Sequence, residues 1–162
     1  KYTPGDSFIV VDIPGRGRIG LTICYDAWFP EITRQVAWLG ADLIVNLVRT
    51  TTPDRRQELV LARANAIANQ VFLASVNAAG PDAVGDSLLI DPEGNLIDRL
   101  DGPRRLLGID TILLGQVRRV HETGTAGLNK VWEQFRDGDP AIALPAYAGS
   151  LDAGRWRRGG ER

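Results

Sequence analysis

The sequence predicts a single layered α/β domain. Three observations support this class. Short apolar, β-branched runs alternate with helical patterns through the first half of the chain, and a strand-rich stretch follows them. The length of 162 residues suits one compact domain, and a hydrophobic content of 44% can supply a sizeable core. No internal repeat interrupts this organisation.

The first elements predicted are a β-hairpin and a helix. Two apolar runs, Phe8–Ile13 and Arg18–Cys24, flank a short loop that contains glycine, which is typical of a hairpin. Pro30 is placed where the first turn of a helix tolerates it, and Gly40 provides a stop. Apolar residues between these two recur at helical spacing.

The rest of the α/β part follows the same logic. A strand is predicted at Leu43–Val48, a helix from about Pro53 to Asn69 with Thr51 or Thr52 as its N-cap, and a strand at Val71–Val76. Three further strands are then predicted at Ser87–Ile90, Leu96–Leu100 and Leu106–Leu114. The first two of them enclose a turn at Asp91–Asn95.

The last fifty or so residues, by contrast, are repeatedly interrupted by glycine. We expect four aromatic residues to anchor this segment to a surface, and we expect its Arg-rich end to be solvated and flexible. The four are Trp132, Phe135, Tyr147 and Trp156.

Composition narrows the classes of function. The net charge of −1 gives no reason to expect binding to nucleic acid or to an anionic membrane, and no apolar run approaches the length of about 20 residues that a membrane span needs. The single cysteine excludes an internal disulfide and a cysteine-based metal cluster, and it fits a reducing, cytoplasmic location. We therefore expect no metal and no cofactor.

Cys24 is the strongest candidate for chemistry. It stands at the junction of an apolar strand and a polar turn, and a thiol there projects into the crevice where α/β sheets bind ligands. The backbone N–H of Tyr25 would then face a developing oxyanion. From position alone, however, a lone cysteine is more often an inert core residue.

The residues around Cys24 favour the chemical interpretation. The run from Gly17 to Glu31 resembles the nucleophile segment of the nitrilase superfamily of carbon–nitrogen hydrolases. Other motifs fall in the family's order, so that the resemblance covers most of residues 4 to 115: Pro4-Gly5-Asp6, Gly40-Ala41-Asp42, Arg63 to Asn69, Val76-Asn77, Gly85-Asp86-Ser87 and Asp91 to Gly94.

The resemblance implies a fold. That fold is a four-layer α-β-β-α sandwich, here without its N-terminal part, with residues 1–115 as the C-terminal part of the domain and 116–162 as its extension. The strands would supply part of both sheets, and the helices after Cys24 and Thr52 would cover one face. A missing N-terminal region would leave apolar faces exposed. In the family such helices pack against another subunit, which implies a homodimer or a larger homo-oligomer.

The resemblance also implies a reaction. The Cys24 thiol would add to the carbon of a small-molecule amide or nitrile, an amine or ammonia would leave, and water would hydrolyse the thioester. The family's general-base Glu and its Lys come from segments before the Pro-Gly-Asp stretch. No Glu precedes Glu31, Lys1 lies too late to match, and Lys130 lies far downstream. With no methionine either, the chain is expected to be part of a longer protein or inactive alone.

Other residues near strand ends are candidates for the site. Trp28, Asn46, Arg49, Thr50 and Asn77 are predicted to contact substrate, although polar residues at strand ends are more often turn formers. Asp26 and Glu31 are acids beside the nucleophile.

These two acids have a structural alternative, since Asp26 can cap the next helix and Glu31 suits its N-terminal dipole and could pair with Arg34. Ala27 and Trp28 stand where family members that act on N-carbamoyl amino acids place arginines, which argues against that substrate group.

Two alternatives to an active carbon–nitrogen hydrolase stay open. The first is a catalytically inactive fragment or binding remnant of the same fold. The second is an unrelated Cys–His hydrolase, which would need His121, the only histidine, close to Cys24. His121 lies outside any recognised motif, and a surface position is expected for it. The specific substrate, and whether amides or nitriles are used, are not predicted.

Overall fold

A computed structural model describes residues 3, 5–134, 136–144 and, for the backbone, 149–151 of the 162-residue chain. Its main feature is one six-stranded sheet in which neighbouring strands are also consecutive in sequence. The strands are β1 (Ile9–Ile13), β2 (Gly17–Ile23), β3 (Leu43–Val48), β4 (Phe72–Asn77), β5 (Ser87–Ile90) and β6 (Leu96–Leu100). The fold predicted from the sequence is confirmed, and these strands match the predicted ones to within a residue or two.

The centre of the sheet is parallel. β2, β3 and β4 run in the same direction, whereas β1, β5 and β6 pair antiparallel to their neighbours. Parallel neighbours require crossover connections, and two helices supply them: α1 (Pro30–Trp38) and α2 (Arg55–Asn69). The carboxyl ends of β2, β3 and β4 therefore meet at one rim of the sheet.

The ends of the two helices follow local rules, with one correction. Pro30 is the first residue of α1, and Gly40 takes a positive φ of 88° just after that helix ends. The predicted cap of α2 at Thr51 or Thr52 is wrong. The helix begins after Asp54, and Thr52 contributes its carbonyl oxygen, which accepts a hydrogen bond from the Arg55 N–H at 3.2 Å.

Both helices pack on the same face of the sheet and bury the core there. The core joins Val36 and Trp38 of α1, Ala62 and Ala66 of α2, and Ile44 of β3. Gly20 in β2 permits the close approach of α1, since a Cβ at this position would lie 2.1 Å from Cγ1 of Val36. Burial of this apolar surface is the main favourable term in folding.

The opposite face of the sheet is apolar and exposed. Strand register places Ile9 beside Leu21, Ile23 beside Leu47, and Leu47 beside Val76, so that these side chains project from the same face. All five are exposed, Ile23 by 68%. We call this surface the apolar sheet face. The expectation that the strands would supply parts of two sheets is wrong for β1–β6, which form one sheet, whereas the expected exposed apolar face is present.

The segment after β6 differs from its prediction. The strand expected at Leu106–Leu114 is absent: residues 105–113 are irregular and mostly exposed, Ile109 by 87%. Apolar, β-branched composition does not make a strand where the backbone has no neighbouring strand to pair with. A helix not predicted, α3 (Gly115–Thr123), follows, and later β7 (Ile142–Leu144) pairs with β8 (Gly149–Leu151).

The C-terminal extension is fastened to the helical layer by Trp132. This side chain is fully buried, as predicted for an anchor, and its indole N–H donates to the Asn69 carbonyl at 3.1 Å. The His121 ring lies 5.2 Å from the Trp132 ring and its Nε2 is 2.9 Å from the Gln70 carbonyl oxygen. The Arg34 guanidinium group lies over the Trp132 ring, with its Cζ 5.1 Å from the ring centroid. We call these residues the tryptophan clasp.

The surface position expected for His121 is wrong, and three of the predicted aromatic anchors stay predictions. His121 was expected at the surface, but it is largely buried against Trp132 because α3 turns it toward the end of α2. The other aromatic residues expected to act as anchors lie outside the described residues: Phe135, Tyr147 and Trp156. No helix in the described part of the chain is long and apolar enough to cross a membrane.

The clasp predicts a pH-dependent stability. Burial lowers the pKa of His121 from its ordinary 6.5 to about 4, and the nearby Arg34 charge acts in the same direction, although hydrogen bonds to the Gln70 and Asn69 carbonyls oppose it. The unfolded chain therefore binds a proton more readily than the folded protein between these pH values. The contribution of neutral His121 to the free energy of unfolding should be fully present above pH 6.5. It should be lost, by roughly 3 kcal/mol, as the pH drops toward 4.

Urea denaturation at pH 7 and pH 5 measures this effect, and most carboxylates stay ionised over that range. The variant His121→Phe keeps an aromatic ring against Trp132 but cannot titrate. We expect its stability to change much less between the two pH values. An equal loss in wild type and variant would show that His121 is not the group responsible.

Candidate active site

The candidate site lies at the rim where the three parallel strands end. Cys24 follows β2 directly and begins a 3₁₀ turn, Cys24–Trp28. Thr50 follows β3 after one residue, and Asn77 ends β4. The crevice outside the carboxyl ends of parallel strands is where α/β sheets bind ligands. The topology thus brings residues from distant parts of the sequence to one edge.

Cys24 has an unusual backbone conformation. Its φ is 49°, in the left-handed region that non-glycine residues seldom adopt. Such strained positions persist only where the surrounding structure enforces them, and they cluster at active sites. The thiol is free and the residue is only half-buried, so it is not sealed within the apolar core.

Hydrogen bonds from within the turn and from β3 hold the turn in this conformation. The Asp26 carboxylate accepts from the Ile23 N–H at 2.8 Å, across the strained residue. Asn46 of β3 donates from Nδ2 to the Cys24 carbonyl at 3.4 Å, while its Oδ1 accepts from the Thr22 hydroxyl at 3.1 Å. Asp26 and Asn46 therefore act on the backbone on either side of the thiol.

A residue that sequence reasoning missed completes this support. Asn65 in the middle of α2 is buried and donates from Nδ2 to the Ala27 carbonyl at 2.9 Å. The bond ties the long helix to the turn after Cys24. A signal was available, because asparagine has low helix propensity and its presence inside a helix suggests a specific partner.

Three aromatic side chains surround the exposed side of the turn. The Tyr25 ring is 63% exposed, lies 5.8 Å from the Trp28 ring in a stacked arrangement, and meets Phe29 edge-on at 5.5 Å. Trp28 is half-buried, and its indole N–H is shielded from solvent with no acceptor among the described residues.

The predicted polar contacts at the other two strand ends divide into two kinds. Arg49 is exposed and lies 4.0 Å from Asp82. Thr50 and Asn77 are buried and bind each other: the Thr50 N–H donates to Asn77 Oδ1 at 2.8 Å, and Asn77 Nδ2 donates to the Thr50 carbonyl at 3.2 Å and to the Gly85 carbonyl at 2.7 Å. Their polar groups are therefore occupied in joining the loops after β3 and β4.

A buried ion pair that was not predicted from the sequence lies beneath these loops. Arg55 is 2% exposed and donates to the Glu58 carboxylate at 3.0 Å, to Ser75 Oγ at 3.0 Å and to the Asp86 carbonyl at 2.9 Å. The Thr50 hydroxyl donates to the same Glu58 carboxylate at 2.8 Å. The i, i+3 spacing of Arg55 and Glu58 was the available signal.

The loops above this ion pair enclose a groove of about 420 Å³, which we call the loop groove. It is lined by Asn77, Gly85, Asp86 and Ser87, together with residues of the segment from Leu100 to Leu106. Cys24 does not contribute to these walls. The groove opens near the end of β4, two strands along the sheet from the thiol.

The remaining candidates lie elsewhere. Glu31 is exposed in the first turn of α1, where an acid suits the helix dipole. Arg34, its suggested partner, donates to the Ala68 carbonyl at 2.7 Å and stacks on Trp132. Lys130 lies 3.5 Å from Glu133 in the C-terminal extension. Lys1 is outside the described residues. In the part of the chain that is described, no group of three or more His, Cys, Asp or Glu side chains could hold a metal ion.

The geometry contradicts a Cys24–His121 dyad. His121 contacts Gln70, which precedes the start of β4, whereas Cys24 follows the end of β2, which runs parallel to β4. The two residues are thus at opposite ends of the sheet, separated by about the length of a six-residue strand, roughly 20 Å. A nucleophile and its base must lie within hydrogen-bonding reach.

Comparison with known proteins assigns the chain to a family. The family model described as carbon–nitrogen hydrolase matches residues 2–122, which is most of the sequence. The chain belongs to the carbon–nitrogen hydrolase family. The chain also has the mixed α/β sheet of the nitrilase superfamily, in agreement with the resemblance seen in its motifs.

Its relatives include amidases and formamidases. It is 28% identical over 171 residues to a formamidase of Allorhizobium ampelinum, a match that covers 96% of this chain and 49% of that protein. It is 35% identical over 126 residues to the omega-amidase of Mus musculus, covering 72% of this chain and 45% of the relative. The chain thus spans about half the length of the curated relatives it matches.

Solved structures give the same result. An amidase of the nitrilase superfamily from Nesterenkonia matches with a TM-score of 0.58 and 29% identity, over 64% of this chain and 40% of that one. Another structure of that amidase shows covalent addition of the acetamide moiety of fluoroacetamide at its active-site cysteine. A further one holds butyramide.

The buried ion pair leads to a stability prediction. Arg55→Met would leave Glu58 charged and buried without its cation, and we expect a loss of about 3–5 kcal/mol in the free energy of unfolding. Arg55→Met/Glu58→Met should cost less than Arg55→Met alone, because no charge remains uncompensated. Urea denaturation measures both, and Arg56→Met, at the exposed neighbouring position, is the control. Equal effects at positions 55 and 56 would contradict the role assigned to the pair.

Proposed function

We propose that this protein hydrolyses a small aliphatic amide through a thioester formed on Cys24. The observation that carries the proposal is the half-buried Cys24, whose strained backbone lies at the rim of the parallel strands. Hydrogen bonds from Asp26, Asn46 and Asn65 hold the turn that contains it. The active-site cysteine of the related Nesterenkonia amidase, which forms a covalent adduct with an acetamide group, supports this assignment.

The reaction proceeds in two halves. The Cys24 sulfur, deprotonated, attacks the carbonyl carbon of the amide, and the carbonyl oxygen becomes an oxyanion that the Tyr25 N–H stabilises. The carbon–nitrogen bond then breaks, and the nitrogen leaves with a proton as ammonia or an amine. Water next attacks the thioester, the carbon–sulfur bond breaks, and a carboxylic acid and the free thiol are released.

The proton transfers need a general base, which we assign to residues outside 1–162. The same holds for the lysine that supports the tetrahedral intermediate. Two observations support this division. The chain spans about half of its relatives' length, and the apolar sheet face offers a surface on which a second sheet can pack. The sequence encoded ahead of Lys1 tests the idea: a glutamate and a lysine are expected there.

Amides are favoured over nitriles as substrates because the relatives include several formamidases and an omega-amidase. We propose that Trp28 forms an aromatic wall of the substrate site and that Asn46 positions Cys24. We place Arg49 at the solvent-exposed entrance of the substrate site. Thr50 and Asn77 contribute by joining the loops after β3 and β4. Asp26 supports the turn, and Glu31 suits the helix dipole at the start of α1. The relatives give no support to a catalytically inactive remnant.

The reactivity of Cys24 tests the mechanism. Fluoroacetamide should alkylate the full-length protein, including any residues encoded before Lys1, at Cys24 and at least about tenfold faster than it alkylates N-acetylcysteine at the same pH. Intact-mass spectrometry measures the rate, and Cys24 is the only thiol among residues 1–162. His121→Phe should leave the rate unchanged.

The matched control moves the thiol to an exposed turn. The variant Cys24→Ala/Ser7→Cys has the same number of thiols and should react at the rate of N-acetylcysteine. If Cys24 in the wild type reacts no faster than this displaced thiol, the surroundings of Cys24 do not activate it, and the proposed mechanism is wrong.

We also propose that the protein is a homo-oligomer that packs through α2. Val60 and Ile67 lie two turns apart on the outer side of this helix, and both are exposed, Val60 by 69%. Val60→Glu should shift the protein toward a smaller species in analytical ultracentrifugation, because it places a charge in the contact. Thr111→Glu, which adds the same charge in an exposed loop, should have no effect. An unchanged sedimentation coefficient for Val60→Glu would exclude α2 as the contact.

A further inference from the structure

The loop groove has two positive charges at its wall that no described residue neutralises. Arg104 and Arg105 line the groove, both are exposed, and neither forms an ion pair or hydrogen bond with any residue in the described part of the chain. A guanidinium group presents a planar fork of N–H donors that matches the oxygens of a carboxylate or phosphate group.

The acidic residue in the same groove does not cancel these charges. Asp86 lines the wall, but Arg99 lies 2.8 Å from its carboxylate. Arg99 also pairs with Asp101 at 2.6 Å, outside the groove walls. Because the one Arg99 cation serves both carboxylates, the three arginines at positions 99, 104 and 105 exceed the two aspartates by one positive charge, and this excess is left to attract an external anion.

Hydrogen bonds hold the part of the groove lining that Gly85 and Asp86 form. Asn77 fixes the Gly85 carbonyl, and buried Arg55 fixes the Asp86 carbonyl. The loop before β5 is joined to the arginine-bearing segment by two backbone bonds, from the Gly80 N–H to the Pro103 carbonyl at 2.7 Å and from the Asp86 N–H to the Gly102 carbonyl at 3.3 Å. A groove held in this way is formed before a ligand arrives, which lowers the entropic cost of binding.

From these observations we propose that the loop groove binds a small molecule whose anionic group, a carboxylate or a phosphate, meets Arg104 and Arg105. The apolar side chains of Leu100 and Leu106, with Ala79, line the rest of the groove and suit a short aliphatic part. Cys24 is not among the residues that line the groove. Binding at the groove can therefore be tested independently of the proposed hydrolysis.

Two probes with the same aliphatic chain distinguish the two anions. Butyrate and butyl phosphate are titrated into the ¹⁵N-labelled protein, with 1-butanol as the neutral comparison. At least one anion should give saturable shifts of the amide signals of Gly85, Ser87 and Gly102, with a dissociation constant on the order of 1 mM, whereas 1-butanol should not. The anion that binds more tightly identifies the head group.

The arginines are tested against a variant of equal charge. Arg104→Gln/Arg105→Gln should weaken binding at least about tenfold, because two charge-assisted hydrogen-bond partners are lost. Arg16→Gln/Arg118→Gln removes the same net charge at two exposed positions outside the groove walls and should change binding by less than about twofold. No saturable shift with either anion, or an equal loss in the two double variants, would overturn the proposal.

Discussion

The parallel pairing of β2, β3 and β4 is the constraint on which the other features depend. Because parallel neighbours need long crossovers, α1 and α2 must lie between these strands in sequence, and both cover the same face. The same pairing gathers three chain segments at one rim. The position of Cys24 therefore follows from the topology of the sheet, and local sequence adds only the turn that presents the thiol.

Buried polar side chains make this rim specific. Asn46 and Asn65 fix the turn that contains Cys24, while Arg55, Glu58, Thr50 and Asn77 fix the loops after β3 and β4. Well-packed apolar residues could give similar stability, since the gain from burying an ion pair is offset by the cost of its desolvation. The polar groups instead favour this loop geometry, because moving the loops would break these buried hydrogen bonds. That geometry supports both the thiol and the walls of the loop groove.

Much of this architecture was predictable from the sequence, and the failures have physical reasons. Local signals located β1 through β6, α1 and the hairpin, because periodicity, proline and glycine act within a few residues. The assignment of strands to sheets failed because apolar residues on both faces of β2 and β3 do not indicate what covers each face. The strand expected at Leu106–Leu114 failed for a related reason, since pairing depends on a partner distant in sequence.

The candidate site shows the same division. Cys24 and its turn were predicted from a motif, but the support from Asn65 and the Arg55–Glu58 pair depends on contacts across the fold. His121 looked like a surface residue because the contact with Trp132 forms only when α3 folds back onto the end of α2. Local signals marked Asn65 and the Arg55–Glu58 spacing, but the contacts with Ala27, Ser75 and the Asp86 carbonyl join residues distant in sequence, and no window of the sequence contains them.

The apolar sheet face has a consequence for how this protein responds to its solution. Hydrophobic attraction weakens on cooling and is strengthened by sulfate and by excluded osmolytes. Protein molecules whose apolar sheet face, at Ile23 and Leu47, is exposed to water will thus associate least in the cold and at low concentrations of such salts. Warming or sulfate will instead favour whatever apolar layer can cover them, so that temperature and salt act as controls on assembly.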